Sequence, residues 1–539
     1  MFLLAWALAL ATAAQAAPAD QVVFDAGLPK IPHHKFNPLD HMSGIAPYHD
    51  APHANITPPE TCAVTAAAFL IRHSAIYAND DEWEEYMSPF VEKLHKARKD
   101  GVLTFADPDG PLAFLADWEC PINDDNLEKV TGPGLDDAYQ LGRRFRELYG
   151  PLMPPKNLGR KHHRHRGGKG GGKAGGGKKP RKDRSARTRQ RERHEARLAS
   201  KKPKVPFKVW SASSGRDIDT SKAWIRGAFP HWQHGDDGEG NQDTLQLVEV
   251  PNKDANWGDS LTPHKICDAF SKEPGKAEAR AWLEHYGPPA VDRLNGLVGG
   301  LEFELNDVIA MQMLCGYETV ISKDRKSAFC SNRLFEDDEF RAFGYWNDLH
   351  YHAFVGYGSK VAPYLGAQWL NVSTHNLLSA YAPPHKHPKP LPGLWAALSG
   401  LFRKKPKLPT PDLPPDATHT QLLFPYFTHR EEPPVALVAL GLWNTTSLPT
   451  DTMPKDRLWK TSHLLPFLGH IAIERLSCDA PPERRRQKDE FVRVVVNGAP
   501  QPLPGCQSGP GGSCPKEEFA AYVDRRLAKF GDFEGACKR

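Results

Sequence analysis

Three apolar segments of the chain are each followed by a charged turn and then by a stretch with helical character. We predict buried strands at 65–71, 207–211 and 422–427. The turns that follow them are Arg72-His73-Ser74, Ser213-Ser214-Gly215-Arg216 and Thr428-His429-Arg430-Glu431-Glu432. The second turn leads into a helical stretch through Trp224, and Pro433-Pro434 after the third can open another helix. Strands that alternate with helices indicate an α/β fold with a parallel sheet.

The three charged turns are expected to converge, because ligands in open α/β sheets bind outside the carboxyl ends of the strands. They would bring together two arginines, two histidines and a carboxylic acid, namely Arg72, Arg216, His73, His429 and Glu431. Arginine can hold two oxygens of a phosphate at once. A neutral imidazole in line with phosphorus can attack it, and an acid opposite can protonate the leaving alcohol. The pattern therefore predicts a site for phosphate monoesters, with no cofactor and no metal, because cationic side chains stabilise the charge.

Composition agrees with a large globular chain that one basic segment interrupts. The 539 residues are 40% hydrophobic and 25% charged, with a net charge of +4. The segment 156–204 holds 20 Lys/Arg and three acids, so the rest of the chain carries −13. This balance excludes a globally basic nucleic-acid-binding protein, and we expect no specific nucleic-acid recognition.

The first residues of the chain, its glycosylation sequons and its cysteines are typical of a secreted protein. Residues 1–16 are predicted to be a signal peptide, with cleavage after Ala16 and an uncleaved membrane anchor as the alternative. No later stretch approaches the roughly 18 to 20 apolar residues of a transmembrane helix. Three glycosylation sequons begin at Asn55, Asn371 and Asn444. Nine cysteines without a Cys-x-x-Cys pair favour disulfides over a zinc site, and their odd number leaves one over. Spacing alone does not give the connectivity.

Two stretches do not fit a folded core. The segment 156–204 contains Gly-Gly-Lys repeats and an Arg-rich run with almost no apolar residues, so we predict a disordered insertion. It could contact polyanions, or it could be a tolerated solvated insertion. A second insertion, at 383–415, is rich in Pro and Lys. The remaining segments, 17–155 and 205–539, would form one catalytic domain, with a helical subdomain at about 230–370.

Several motifs resemble the fungal-type histidine acid phosphatases, the phytase-like branch of the histidine phosphatase superfamily. That family begins its site with Arg-His-Gly-x-Arg-x-Pro about ten residues after a cysteine, and here Cys62 precedes Arg72-His73-Ser74-Ala75-Ile76-Tyr77-Ala78. Thr131 and Gly134 match a Leu-Thr-x-x-Gly helix, and Leu314-Cys315-Gly316-Tyr317-Glu318-Thr319 is similar to Met-Cys-x-x-Asp-Thr. The segments 467–478 and 492–506, with a hairpin turn at Asn497-Gly498, are similar to the terminal strands.

The resemblance implies a role for each candidate site residue. His73 would be the nucleophile, and Arg72, Arg216 and His429 would bind the phosphate. Glu431 would take the place of the acid in a His-Ala-Glu form of the last motif. Glu432 is the alternative proton donor. The fold would be a phosphoglycerate-mutase-like mixed sheet flanked by helices, with a smaller helical subdomain. The implied disulfides are Cys62–Cys478, Cys267–Cys537, Cys315–Cys330 and Cys506–Cys514, which leaves Cys120 free.

Two departures from the family pattern leave the activity open. Ile76 stands where the family has its second arginine, and Ser74 replaces a glycine. Losing one cationic donor can cost roughly 10²- to 10³-fold in turnover, although Arg430 could supply a replacement charge. We expect a secreted acid phosphatase, extracellular or in the cell wall, that acts on small phosphate monoesters, possible phytate-like substrates included. The alternative is a weak or inactive relative that binds phosphorylated or polyanionic ligands.

Overall fold

The computed structural model describes residues 36–154, 206–230, 244–253, 261–379, 421–445, 447–480 and 488–538. The predicted signal peptide and the insertions at 156–204 and 383–415 lie outside these residues. Among the described residues, no helix is both long enough and apolar enough to cross a bilayer.

The centre of the fold is one mixed β-sheet with the strand order β10-β8-β7-β1-β6-β3-β4 and β9 paired to β8. Its strands are β1 Cys62–Arg72, β3 Phe207–Ala212, β4 Leu245–Val250, β6 Leu423–Thr428, β7 His470–Asp479, β8 Lys488–Val496, β9 Ala499–Gln501 and β10 Cys514–Pro515. A separate small sheet pairs β2 Thr104–Phe105 with β5 Val298–Gly299. Strands β1, β6, β3 and β4 run parallel to one another, whereas β7 is antiparallel to β1 and to β8, and β10 is antiparallel to β8. The predicted mixed α/β sheet is confirmed.

Helices cover both faces of this sheet because the central strands are apolar on both sides. Along β1, the side chains of Ala66, Ala68 and Leu70 enter one core and those of Ala67, Phe69 and Ile71 enter the other. Within the described ranges, the α-helices of five or more residues are α1 Ser88–Lys99, α2 Gly132–Leu148, α3 Gly215–Ala228, α4 Lys276–Tyr286, α5 Pro288–Asn295, α6 Leu305–Ile321, α7 Asp337–Phe354, α8 Ala362–Ser379, α9 Glu432–Leu440, α10 Lys516–Phe530 and α11 Phe533–Cys537. Helices α2 and α3 pack on one face, and α8, α9 and α10 pack on the other.

Helices α1 and α4 to α7 form a helical cluster with a core of its own. This cluster differs from the continuous helical stretch expected at 230–370. It takes α1 from a segment before the second motif strand, and β4, which lies inside that range, belongs to the main sheet. Strand β4 joins the sheet because its apolar residues pair with β3, beginning with Leu245 opposite Phe207.

Disulfides and one tight hairpin turn constrain the fold. The structure contains the four disulfides Cys62–Cys478, Cys267–Cys537, Cys315–Cys330 and Cys506–Cys514, and the thiol of Cys120 is free. These are the same pairs that the family resemblance implied. The turn between β8 and β9 has positive φ at both Asn497 (43°) and Gly498 (82°), as the predicted two-residue hairpin requires.

Candidate active site

The first and third charged turns lie side by side because β1 and β6 are adjacent parallel strands. Arg72 at the end of β1 pairs with Thr428 at the end of β6. The N–H of His73 then donates to the carbonyl of Thr428 at 2.9 Å. Strand β3 is parallel to β6 and pairs with it on the side opposite β1. The turn that carries Arg216 therefore lies at the same carboxyl-terminal end of the strands as the other two turns.

Thr220, one turn into α3, links the first turn to the second. Its Oγ1 accepts the N–H of Ser74 at 2.9 Å and donates to the carbonyl of Arg216 at 2.7 Å. Ser74 does not have positive φ, so the position does not require the glycine of the family motif. The substitution is therefore accommodated, and its backbone amide helps to position Arg216.

His73 is completely buried, with one ring nitrogen held and the other unpartnered. Nδ1 lies 2.9 Å from the carbonyl oxygen of Ser74, which can only accept, so Nδ1 carries the proton. Nε2 has no hydrogen-bond partner among the described residues. Burial and the nearby charges of Arg72 and Arg216 hold the pKa of His73 well below its usual value. The ring therefore stays neutral, with the lone pair of Nε2 free to attack an electrophile.

The guanidinium of Arg72 is anchored at one side and unpartnered at the other. Nη1 donates to the carbonyl of Gly44 and to that of Leu465, at 2.5 Å for the latter. The guanidinium carbon lies 4.4 Å from the ring centroid of Phe467. Burial lowers the pKa of Arg72 to about 10, which leaves it charged at neutral and acid pH. Its Nε and Nη2 are buried without a partner among the described residues.

The side chain of Arg216 is largely buried, and a different set of its hydrogen-bond donors is unpartnered from that of Arg72. Nη1 forms an ion pair with Oε1 of Glu128 at 2.5 Å, while Nε is buried and unpartnered within the described part of the chain. The side chain of Glu128 is 44% exposed, so it covers Arg216 from the solvent side. A phosphate that binds both Nη1 and Nε of Arg216 would have to displace Glu128.

His429 is oriented by groups from the second turn. Its Nδ1 lies 2.8 Å from Oδ2 of buried Asp217, at an angle outside that of a regular hydrogen bond. Its Nε2 lies 3.3 Å from Oγ of Ser214, which in turn accepts from Asn252 at 2.7 Å. The ring centroids of His429 and His73 are 6.4 Å apart. The two imidazole rings are therefore close enough to contact one phosphoryl group.

Glu431 lies at this edge within a network of charges. Its Oε1 is 3.5 Å from Nζ of Lys272 and 3.5 Å from Nε of Arg430. Burial alone would raise the pKa of Glu431, but the charges of Lys272, His264, Arg430 and His429 together hold it well below its usual value. Without a bound anion, Glu431 is therefore a carboxylate.

Arg430 does not replace the arginine that is missing from the first motif. Its guanidinium is buried and donates to both oxygens of Asp81, at 3.0 and 2.8 Å, and to Glu82. Its Nε faces Glu431. Ile76, at the position of the family's second arginine, is fully buried in the core of the helical cluster and forms a β-bridge with Val130. The site thus has two guanidinium groups available to a ligand.

One group of side chains has the composition of a metal site. One ligand atom from each of His264, Glu431 and Glu432 lies within 4.8 Å of the others. Nδ1 of His264, however, already pairs with Oε1 of Glu432 at 2.5 Å, and the ammonium of Lys272 lies beside Glu431. Because a cation already neutralises one carboxylate and a hydrogen bond occupies the imidazole, we assign no metal to this cluster. Glu432 is held by His264 and by Oγ1 of Thr428 at 3.2 Å.

The structure brings all five predicted site residues to one edge of the sheet, and it adds two that the sequence analysis missed. Asp217 immediately follows Arg216, in the first turn of α3, and is buried. An acid next to a candidate phosphate-binding arginine at the start of a helix could have identified it as a site residue from sequence. Glu128 gave no such signal, because it comes from a loop with no periodic pattern.

A model of the histidine phosphatase superfamily (branch 2) matches residues 187–497. The chain belongs to this superfamily. As a histidine phosphatase it is 22% identical over 511 residues to the acid phosphatase PHO1 of Komagataella pastoris, across 93% of this chain and 87% of the relative. It is 24% identical over 516 residues to the phytase PHO112 of Candida albicans, with the same coverage. The solved phytase from D. castellii superposes with a TM-score of 0.65 at 21% identity, covering 93% of this chain and 88% of that one. The resemblance to the phytase-like histidine acid phosphatases is confirmed.

Proposed function

We propose that this histidine phosphatase is an acid phosphatase that hydrolyses phosphate monoesters through a phosphohistidine at His73. One observation carries the proposal: besides Nδ1 of His429, which faces Asp217, four buried nitrogen atoms at one sheet edge have no hydrogen-bond partner among the described residues. They are Nε2 of His73, Nε and Nη2 of Arg72, and Nε of Arg216. Unpaired buried donors are costly, and three donors beside one lone pair fit a bound phosphoryl group. The relatives named acid phosphatases and phytases support the same reaction class.

The proposed reaction has two displacements at phosphorus. Nε2 of His73 attacks, the P–O bond to the alcohol breaks, and the leaving oxygen takes a proton from Glu431. A water molecule then attacks the phosphohistidine, Glu431 accepts its proton, and the P–N bond breaks to release phosphate. Arg72, Arg216 and His429 bind the phosphoryl oxygens, where charge-assisted hydrogen bonds stabilise the transition state.

Glu431 must be protonated to act as the acid, although it is a carboxylate without ligand. A bound phosphate dianion adds negative charge to the same site, and a nearby like charge raises the pKa of a carboxyl group. We therefore infer that the substrate itself favours the protonated form of Glu431, most effectively at acid pH.

Leaving-group dependence separates the role of Glu431 from that of Glu432. Glu431→Gln should lower kcat by about 10²- to 10³-fold with an alkyl phosphate, whose alkoxide needs a proton. With p-nitrophenyl phosphate, whose phenolate leaves unaided, the loss should be much smaller. Equal losses with both substrates would contradict this role. If Glu432→Gln shows the selective loss instead, the acid is Glu432.

The reaction itself is tested by phosphate release at acid pH. The wild-type chain should release phosphate from p-nitrophenyl phosphate, and His73→Asn should not. His352→Asn is a matched control, since His352 is also buried and bonds a backbone carbonyl, that of Thr445, at 2.7 Å. Binding of phosphate esters by the wild type without turnover would instead support the alternative, a weak or inactive relative that binds phosphorylated ligands. The names of the relatives do not favour that alternative.

We extend the proposal to secretion and to glycosylation at Asn55 and Asn444, which are both exposed. Asn371 is a poorer acceptor because it lies within α8 and the Ser373 of its sequon is completely buried. Contact between polyanions and the segment 156–204 also remains a proposal. Deleting that segment should weaken binding to a polyanion such as heparin without abolishing turnover. Unchanged binding would contradict a role of the segment in polyanion contact.

A further inference from the structure

A cavity of about 450 Å³ lies beside the third charged turn, which contributes Arg430 to its wall, and most of its other lining residues belong to the helical cluster. Lys272 and Arg430 form part of its wall, and both lie 3.5 Å from Glu431. Because the acid must contact the leaving oxygen, the leaving alcohol would extend into this cavity. Its volume falls in the range of small-molecule sites.

The charged groups that line the cavity are balanced in number, and each basic one has an acidic partner. Four are basic and four are acidic: Lys272, Lys276, Arg280, Arg430, Asp81, Glu82, Glu85 and Glu273. Lys272 pairs with Asp81 at 3.2 Å, and Lys276 pairs with Glu85 at 3.4 Å and with Glu273 at 3.0 Å. Arg430 is held by two carboxylates of the wall, and Arg280 pairs with Glu284 at 2.8 Å. Each basic side chain of the wall therefore already has an anionic partner.

The rest of the wall is largely aromatic and apolar. Tyr86 and Trp346 meet edge to face with centroids 5.7 Å apart, and Tyr351, Phe354 and Met313 also line the cavity, beside the polar side chains of Asn306, Asn347 and His350. Such a surface binds uncharged or aromatic groups by apolar contact. Additional phosphates on the leaving group would meet the carboxylates of the wall, and a lysine that binds such a phosphate would have to share its ammonium group with a carboxylate.

On the basis of the proposed function, we propose that this cavity selects monophosphates of uncharged, preferably aromatic, alcohols and discriminates against polyphosphorylated alcohols. Glu85 and Glu273 are the specificity-determining residues, because both form ion pairs with Lys276, a basic residue of the wall. The discrimination arises from the pairing of the basic residues rather than from their absence. Removing the two carboxylates would leave Lys276 free to bind a peripheral phosphate.

The experiment compares kcat/KM for p-nitrophenyl phosphate and for inositol hexakisphosphate in the full-length protein. The wild type should prefer the aryl phosphate. In Glu85→Gln/Glu273→Gln, the ratio of kcat/KM for the hexakisphosphate to that for the aryl ester should rise roughly tenfold, as expected for one new charge-assisted contact. Glu517→Gln, an exposed acid on α10, is the matched control and should leave the ratio unchanged.

A second measurement keeps the proposal testable if the double variant is unstable. Inositol hexakisphosphate should inhibit hydrolysis of the aryl ester by the wild type no better than inorganic phosphate does. Stronger inhibition by the hexakisphosphate, or faster turnover of it than of the aryl ester, would overturn the proposed selectivity while leaving the phosphatase activity intact. Absence of turnover with every monoester would instead refute the proposed function.

Discussion

The ion pair between Glu128 and Arg216 should weaken substrate binding, and Glu128→Gln should relieve it. Nη1 of Arg216 is one of the donors that a phosphate would use, and Oε1 of Glu128 holds it at 2.5 Å. The glutamine keeps the shape of the side chain and removes its charge. We therefore expect KM for a phosphate monoester and Ki for inorganic phosphate both to fall, while kcat changes little.

The size of this effect follows from the exposure of the pair. Arg216 is 9% exposed but Glu128 is 44% exposed, so solvent screens the interaction. Pairs of this kind contribute about 1 kcal/mol at most. One kcal/mol corresponds to roughly a fivefold change in an equilibrium constant. KM and Ki should thus fall by about two- to fivefold.

Steady-state kinetics with p-nitrophenyl phosphate, with and without inorganic phosphate, measure both constants. Glu119→Gln provides a control in the same loop, because Glu119 is exposed and pairs with Arg98 at 3.3 Å, away from Arg216. An unchanged or raised Ki for phosphate in Glu128→Gln would refute the reasoning, since it would show that Glu128 does not compete for Arg216.

Three further predictions concern acid pH, stability and thiol reactivity. Burial and two arginines lower the pKa of His73, so the neutral nucleophile should persist at acid pH. A pH profile in which kcat/KM falls on acidification with an apparent pKa of about 6.5 would contradict this. The Cys62–Cys478 disulfide joins β1 to β7, and replacing both cysteines by alanine should lower the free energy of unfolding by about 2–4 kcal/mol, measured by denaturant titration. An unchanged midpoint would show that sheet pairing alone fixes these strands. Cys120 is partly buried, which raises the pKa of its thiol to about 12, so the thiol should react slowly with an aromatic disulfide reagent in the native state and faster after unfolding. Equal rates in the two states would contradict this protection.

The site could be predicted from sequence where strand topology alone determines it. Arg72, His73 and His429 follow two strands that are adjacent and parallel, so strand ends were sufficient to place them together. Arg216 follows β3, which pairs with the other side of β6. The apolar runs identified these strands because the sheet is buried on both faces.

Contacts that depend on loops could not be predicted in this way. Glu128 has a φ of 60°, an uncommon value for a residue other than glycine, and no local pattern signals it. The partners of Arg430 come from Asp81 and Glu82, almost 350 positions earlier, and only the folded chain shows that they neutralise it. Strand β4 is short and partly exposed, so its membership of the sheet depends on pairing with β3 rather than on its own pattern.

Trapping the covalent intermediate tests the central claim most directly. The wild-type chain is mixed with a phosphate monoester, quenched in alkali within the first turnovers, digested, and analysed by mass spectrometry for phosphohistidine. We predict one phosphorylated histidine, His73, whose label disappears as the substrate is exhausted and is absent from His73→Asn. Phosphate release without a phosphorylated His73, or with the label on another residue, would contradict the account.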